Sequence, residues 1–135
     1  MKNKNILITG AIFMALAVSL GAFGAHALKK VLSPEMLAIY HTGVEYQFYH
    51  AMGLLITGLT GFQVKSKFIG WAGTLLTTGI ILFSGSLYAL ALSEIKGLGA
   101  ITPIGGVLFI AGWVCLALAL TKKRTDKSTQ VEPGK

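Results

Sequence analysis

The sequence predicts an all-α integral membrane bundle of four transmembrane helices, and three observations point to it. Four apolar stretches, at 6–28, 46–64, 68–92 and 97–120, run about 19 to 25 residues each. A helix needs about 20 mostly apolar residues to cross a bilayer. The composition is 53% hydrophobic and only 13% charged, against about 25% charged residues in a soluble domain. The basic residues, finally, fall on alternate sides of the stretches. The 135 residues leave room for one membrane domain, 1–120, and a basic tail, 121–135, without a soluble module.

Lys2 and Lys4 precede the first stretch. Ala25-His26-Ala27 resembles a signal-peptide cleavage site, but the apolar run before it, 6–23, exceeds the usual ~7–15 residues of a signal core. The first helix is therefore expected to be retained. Ala11, Ala15 and Ser19 form one line of small residues, and Ala17, Gly21 and Ala25 another. Such lines let helices approach closely in lipid, where van der Waals packing drives association. Segment 29–45 differs. Ser33-Pro34-Glu35 is a helix start: the serine caps, the proline suits the first turn, and the glutamate complements the helix dipole. Leu37, Tyr40, Val44 and Phe48 continue at helical spacing. A short amphipathic outer helix is expected here, feeding into the second span, with Gly43 as its candidate bend.

Gly53, Thr57 and Gly61 make a small-residue line in the second span, Gly70, Thr74 and Thr78 one in the third, and Gly105 and Gly112 mark a face of the fourth. The breaks at 63–67 and 93–96 are short, which forces antiparallel neighbours. The tail is polar and expected to be disordered.

Charge sets the topology. With four spans, nine Lys and Arg residues lie on the side of the termini and three (Lys29, Lys30, Lys96) on the other. The positive-inside rule then places both termini in the cytoplasm of a multi-pass cell-membrane protein. The net charge of +7 thus reflects orientation and not nucleic-acid binding, for which no basic groove or soluble fold exists. The cluster Lys122, Lys123, Arg124 and Lys127 is suited to anionic lipid.

The remaining polar residues gather near the outer ends of the spans. His26 closes the first. His41, Glu45, Tyr46, Tyr49 and His50 open the second, Ser84, Ser86 and Tyr88 approach the end of the third, and Thr102 opens the fourth. Ionisable groups at membrane depth are costly unless they face partners. His26, Glu45, His50, Ser86, Tyr88 and Thr102 are accordingly the expected outer polar cluster and the candidate ligand site. No metal or other cofactor is expected. His41 and Glu45 share a helix face, but His50, nine residues on, points about 180° away, and no zinc-ligand spacing is matched. Cys115 is the single cysteine, so no cysteine pair exists to hold a metal. No aspartate precedes Asp126, which excludes a Ser-His-Asp triad within the membrane domain. Ser84-Gly85-Ser86 alone is weak evidence of a hydrolase. Gly97-Leu98-Gly99 and Gly105-Gly106 lack the lysine and strand context of a phosphate loop. The chain is read as non-enzymatic.

Gly21-Ala22-Phe23-Gly24-Ala25-His26, Thr42-Gly43-Val44-Glu45-Tyr46-Gln47-Phe48-Tyr49-His50, Phe83-Ser84-Gly85-Ser86-Leu87-Tyr88 and Thr102-Pro103-Ile104-Gly105-Gly106 form four blocks. Together with Phe109 and Gly112-Trp113 they resemble the signature of the domain-of-unknown-function 423 family. These are small bacterial membrane proteins related to the eukaryotic transmembrane protein 256. The resemblance spans nearly the whole membrane domain. It implies a four-span integral protein of the cell membrane with a retained first helix, and it brings no assigned catalytic residue.

Three functional readings stand at this level. The first is a non-enzymatic membrane component that binds a lipid, a small solute or a protein partner at the outer cluster. The second is a transporter or channel for a small solute or ion. A monomer of four thin helices has little room for an aqueous path, so this reading requires a homo-oligomer. The third makes the cluster purely structural.

Overall fold

A computed structural model describes residues 1–121; the expected disordered tail and its Lys122, Lys123, Arg124 and Lys127 lie outside the described residues. The helices are α1 (Asn3–His26), α2 (Pro34–Gln63), α3 (Lys67–Ser93) and α4 (Thr102–Thr121). Short 3-10 turns at Leu28–Lys30 and Lys96–Ala100 join α1 to α2 and α3 to α4. Among the described residues there is no strand.

Local chemistry sets the helix ends. Ser33 Oγ accepts from the Met36 N–H at 3.2 Å, with Pro34 and Glu35 in the first turn of α2. Ser66 Oγ accepts from the Phe68 N–H at 3.3 Å and starts α3. Helix α3 stops where Glu94 turns left-handed, at φ 57°, the conformation that closes many helices.

Three stretches, Asn3–Lys30, Lys67–Ser93 and Lys96–Thr121, are long and apolar enough to cross a membrane, with mean hydropathies of 2.3, 1.8 and 2.2. Helix α2 has the length, 30 residues, but carries His41, Glu45, Gln47 and His50 between its first turns and its middle and falls short on apolarity. The expected outer helix does feed into α2, yet not as a separate element: α2 runs unbroken from Pro34 to Gln63. Gly43 is no bend. It gives Tyr88 room to lie against α2, since a Cβ there would stand 2.8 Å from the Tyr88 ring.

The helices that pack extensively are sequence neighbours: α1 on α2, α2 on α3 and α3 on α4, with a slight α1–α3 contact. The main core joins Ile6 of α1, Ala51 and Leu54 of α2, Leu76 and Ile80 of α3, and Phe109 and Leu116 of α4. A smaller core at the outer end contains Leu28, Tyr40, Val44 and Ala91. Small residues admit the close approaches, but not on every expected line. On α1 the inward face is Gly10, Ala17 and Gly24, whereas Ala11, Ala15 and Ser19 point outward, as do Thr74 and Thr78 of α3. The packed face repeats every seven residues, which keeps it close to one line along the helix and drifts by only about 20° per repeat. The four-residue lines wind away from it. Gly105 and Gly112 are buried against α3.

Candidate functional site

Two polar arrangements occupy the outer half of the bundle, on opposite sides of the α2–α3 contact. The first is internal. Gln47, 3% exposed, donates from Nε2 to the Phe13 carbonyl of α1 at 2.9 Å. Its Oε1 accepts from the Tyr88 hydroxyl of α3 at 2.8 Å. Tyr40 donates to the Leu20 carbonyl at 2.8 Å, and its ring packs 5.1 Å from that of Tyr88. The side chains of Gln47, Tyr88 and Tyr40 thus each have a hydrogen-bond partner, as lipid demands of buried polar groups. They tie α1, α2 and α3 together.

The second arrangement is a groove of about 470 Å³ between α2 and α4, floored by α3 and lined by residues that include Tyr46, His50, Phe83, Pro103, Gly106, Phe109 and Trp113. One turn separates Tyr46 from His50, so both face α4. Gly53, one turn further, lets the Trp113 ring lie against the α2 backbone; a Cβ there would stand 2.8 Å from it. His50 stacks on Phe109 with centroids 3.3 Å apart and planes 10° apart. Tyr46 stacks on Phe83 at 4.5 Å and 24°. Val107 and Ile110, 65% and 68% exposed, rim the mouth, so the groove opens sideways from the bundle. His50 lies 13 residues from the inner end of α2, roughly 20 Å along the axis.

His50 Nδ1 lies 2.6 Å from the Tyr46 carbonyl. A carbonyl can only accept, so Nδ1 carries the proton. In the neutral ring Nε2 is then a bare acceptor. Among the described residues Nε2 has no hydrogen-bond partner, and it is not among the fully occluded polar atoms. At the outer end of the groove Ser86 Oγ pairs with Thr102 Oγ1 at 2.7 Å and donates to the Phe83 carbonyl at 2.9 Å.

The six residues expected to cluster are thus divided. His50 lines the groove, while Ser86 and Thr102 pair with each other next to its Phe83 and Pro103 walls. Tyr88 belongs to the internal chain with Gln47. His26 and Glu45 are exposed, with no hydrogen bond or ion pair among the described residues, and they are corrected out of the cluster: they share its level but face away from the packed surfaces. Ser84 Oγ is buried and has no partner among the described residues. Among the described residues no group of three or more His, Cys, Asp or Glu side chains could hold a metal ion. Sequence reasoning missed Gln47 as a cross-helix link. Its signal was a polar residue seven positions from Tyr40, on one helix face. It also missed Phe83, Phe109 and Trp113 as groove walls, which no sequence signal separates from ordinary aromatic core.

An all-helical membrane protein with a side groove is the class these features define. Within it, residues 20–106 match the family model described as "Protein of unknown function (DUF423)", and the chain belongs to that family. It is 50% identical over 119 residues to a UPF0382 membrane protein of Staphylococcus epidermidis, covering 88% of this chain and 97% of the relative. It is 46% identical over 120 residues to the UPF0382 membrane protein YwdK of Bacillus subtilis, covering 88% and 98%. No solved structure matches.

Proposed function

We propose that this protein is a non-enzymatic, four-span component of the cell membrane that holds an amphiphilic ligand, drawn from the bilayer, in the α2–α4 groove. One observation carries this reading: a side-opening aromatic groove with an unpaired histidine nitrogen in its wall. Its volume of about 470 Å³ lies within the ~300–1,000 Å³ typical of small-molecule sites. The internal Phe13–Gln47–Tyr88 chain, with every atom satisfied, is read as the structural part of the polar set. Helix α2 serves as the fourth span because Gln47, His50 and Thr57 turn inward, toward α1, α3 and the groove, while exposed Glu45 stands nearer the end of the helix. Both termini are cytoplasmic.

The ligand is tested by filling its place. A Cβ on Gly106 would meet nothing closer than the Phe83 ring, at 3.8 Å, so Gly106→Leu projects into the groove without moving backbone. Native mass spectrometry of the protein released from its own membrane is expected to show a bound species of defined mass, lost in Gly106→Leu. A bare wild-type protein, or equal retention by the variant, refutes the reading.

Orientation has its own test, in a Cys115→Ala background. Gly97→Cys lies in the α3–α4 connection with open space around its Cβ; Gln63→Cys is exposed at the opposite end of the bundle. A membrane-impermeant maleimide is expected to label the first in intact cells and the second only after permeabilisation. The reverse pattern would invert the topology.

A further inference from the structure

We infer that the groove ligand is a hydroxylated aromatic ring dissolved in the bilayer, of the hydroquinone type, whose hydroxyl donates to His50 Nε2. This rests on the reading of the groove as a ligand site and adds the chemistry of the occupant.

The donor requirement follows from the histidine. Its Nδ1–H is committed to the Tyr46 carbonyl at 2.6 Å, which leaves Nε2 to accept. An acceptor in a groove that opens to lipid finds no donor there unless a ligand supplies an O–H or N–H. The neutral charge follows from the lining, which contains no Lys, Arg, Asp or Glu. A phosphate headgroup would find no cation there, and a cationic headgroup no carboxylate.

The flatness follows from the rings. Tyr46 lies 19° from the plane of His50, 24° from Phe83 and 28° from Phe109. Phe83 tilts 50° to Phe109 and Trp113 tilts 57° to His50, so the near-parallel set is Tyr46, His50 and Phe109, a stack that another flat ring extends by offset stacking. An apolar tail on such a ring would leave through the mouth at Val107 and Ile110 into lipid.

Trp113, in the groove wall, is the reporter once the second tryptophan is removed by Trp71→Phe. The protein in lipid nanodiscs is titrated with a hydroquinone bearing a ten-carbon chain and with its dimethyl ether, which keeps the ring and loses both donors. Quenching of Trp113 is expected to give about tenfold tighter binding for the hydroquinone, as one well-made hydrogen bond implies. His50→Phe keeps the stack on Phe109 and removes Nε2; it is expected to bind both compounds alike, at the affinity of the ether.

Equal binding of the two compounds to the wild-type site overturns the donor requirement and leaves the groove reading intact. A diacylglycerol competing as well as the hydroquinone overturns the ring. Absence of quenching by either compound overturns this inference too. The groove reading itself falls if the wild-type protein is bare or if Gly106→Leu leaves lipid retention unchanged.

Discussion

Gly105→Ala is expected to destabilise the bundle by about 2–3 kcal/mol, the upper part of the range for overpacking a tight core, while Gly106→Ala next to it changes stability by less than about 0.5 kcal/mol. The contrast comes from what each new methyl group meets. At Gly105 it would stand 2.5 Å from the backbone nitrogen of Phe83 and 2.7 Å from its Cβ. Backbone cannot rotate aside, so α4 must move off α3. Gly79, opposite, closes the same contact, with the Phe109 ring 2.5 Å from where its Cβ would be. At Gly106 the methyl would meet only the Phe83 ring, at 3.8 Å, ordinary van der Waals contact. Unfolding of both variants in mixed micelles, followed by helix loss, measures the difference. Equal stabilities would mean that α4 does not pack on α3 at this point.

Removing Gln47 is the second large change. Gln47→Leu is expected to cost about 1–2 kcal/mol, because it breaks bonds to two helices at once and strands the Tyr88 hydroxyl. Cross-helix hydrogen bonds in membranes average about 0.6 kcal/mol and reach about 1.7. Tyr88→Phe alone is expected to cost about 1 kcal/mol. Once the hydroxyl is gone Gln47→Leu has less to lose, so the double variant should fall short of the summed costs by about 0.5–1 kcal/mol. Strict additivity in this cycle would show that the 2.8 Å contact contributes nothing.

The helices and their order were legible in the residues because apolar length and capping are local properties. Ser33, Pro34 and Glu35 start α2 as their chemistry requires, and the short 63–67 and 93–96 breaks make antiparallel neighbours. Level along the bundle was legible as well: position along a helix fixes height, and His26, Glu45, Ser86, Tyr88 and Thr102 lie toward the end that holds the α1–α2 and α3–α4 connections, with His50 near the middle of α2. Azimuth was not. Each residue turns 100° from the one before, and only packing decides which direction is inward. Glu45 and Tyr46 are adjacent in the chain, yet one is exposed away from the packed faces and the other lines the groove. The same limit explains α1, where Gly10, Ala17 and Gly24 pack and the line of Ala11, Ala15 and Ser19 does not. Gly43 was read as a hinge because glycine permits bending; its use here is to accommodate the Tyr88 ring, which lies more than forty positions away in sequence.

That extensive packing joins only helices adjacent in the chain has a consequence for biogenesis. Each helix after the first meets a packing partner already in the bilayer as it leaves the ribosome, an order that suits insertion by accretion. The internal polar chain closes as soon as the third helix arrives. The groove, by contrast, has no second wall until the last helix docks, so it is complete only when synthesis of the membrane domain is finished.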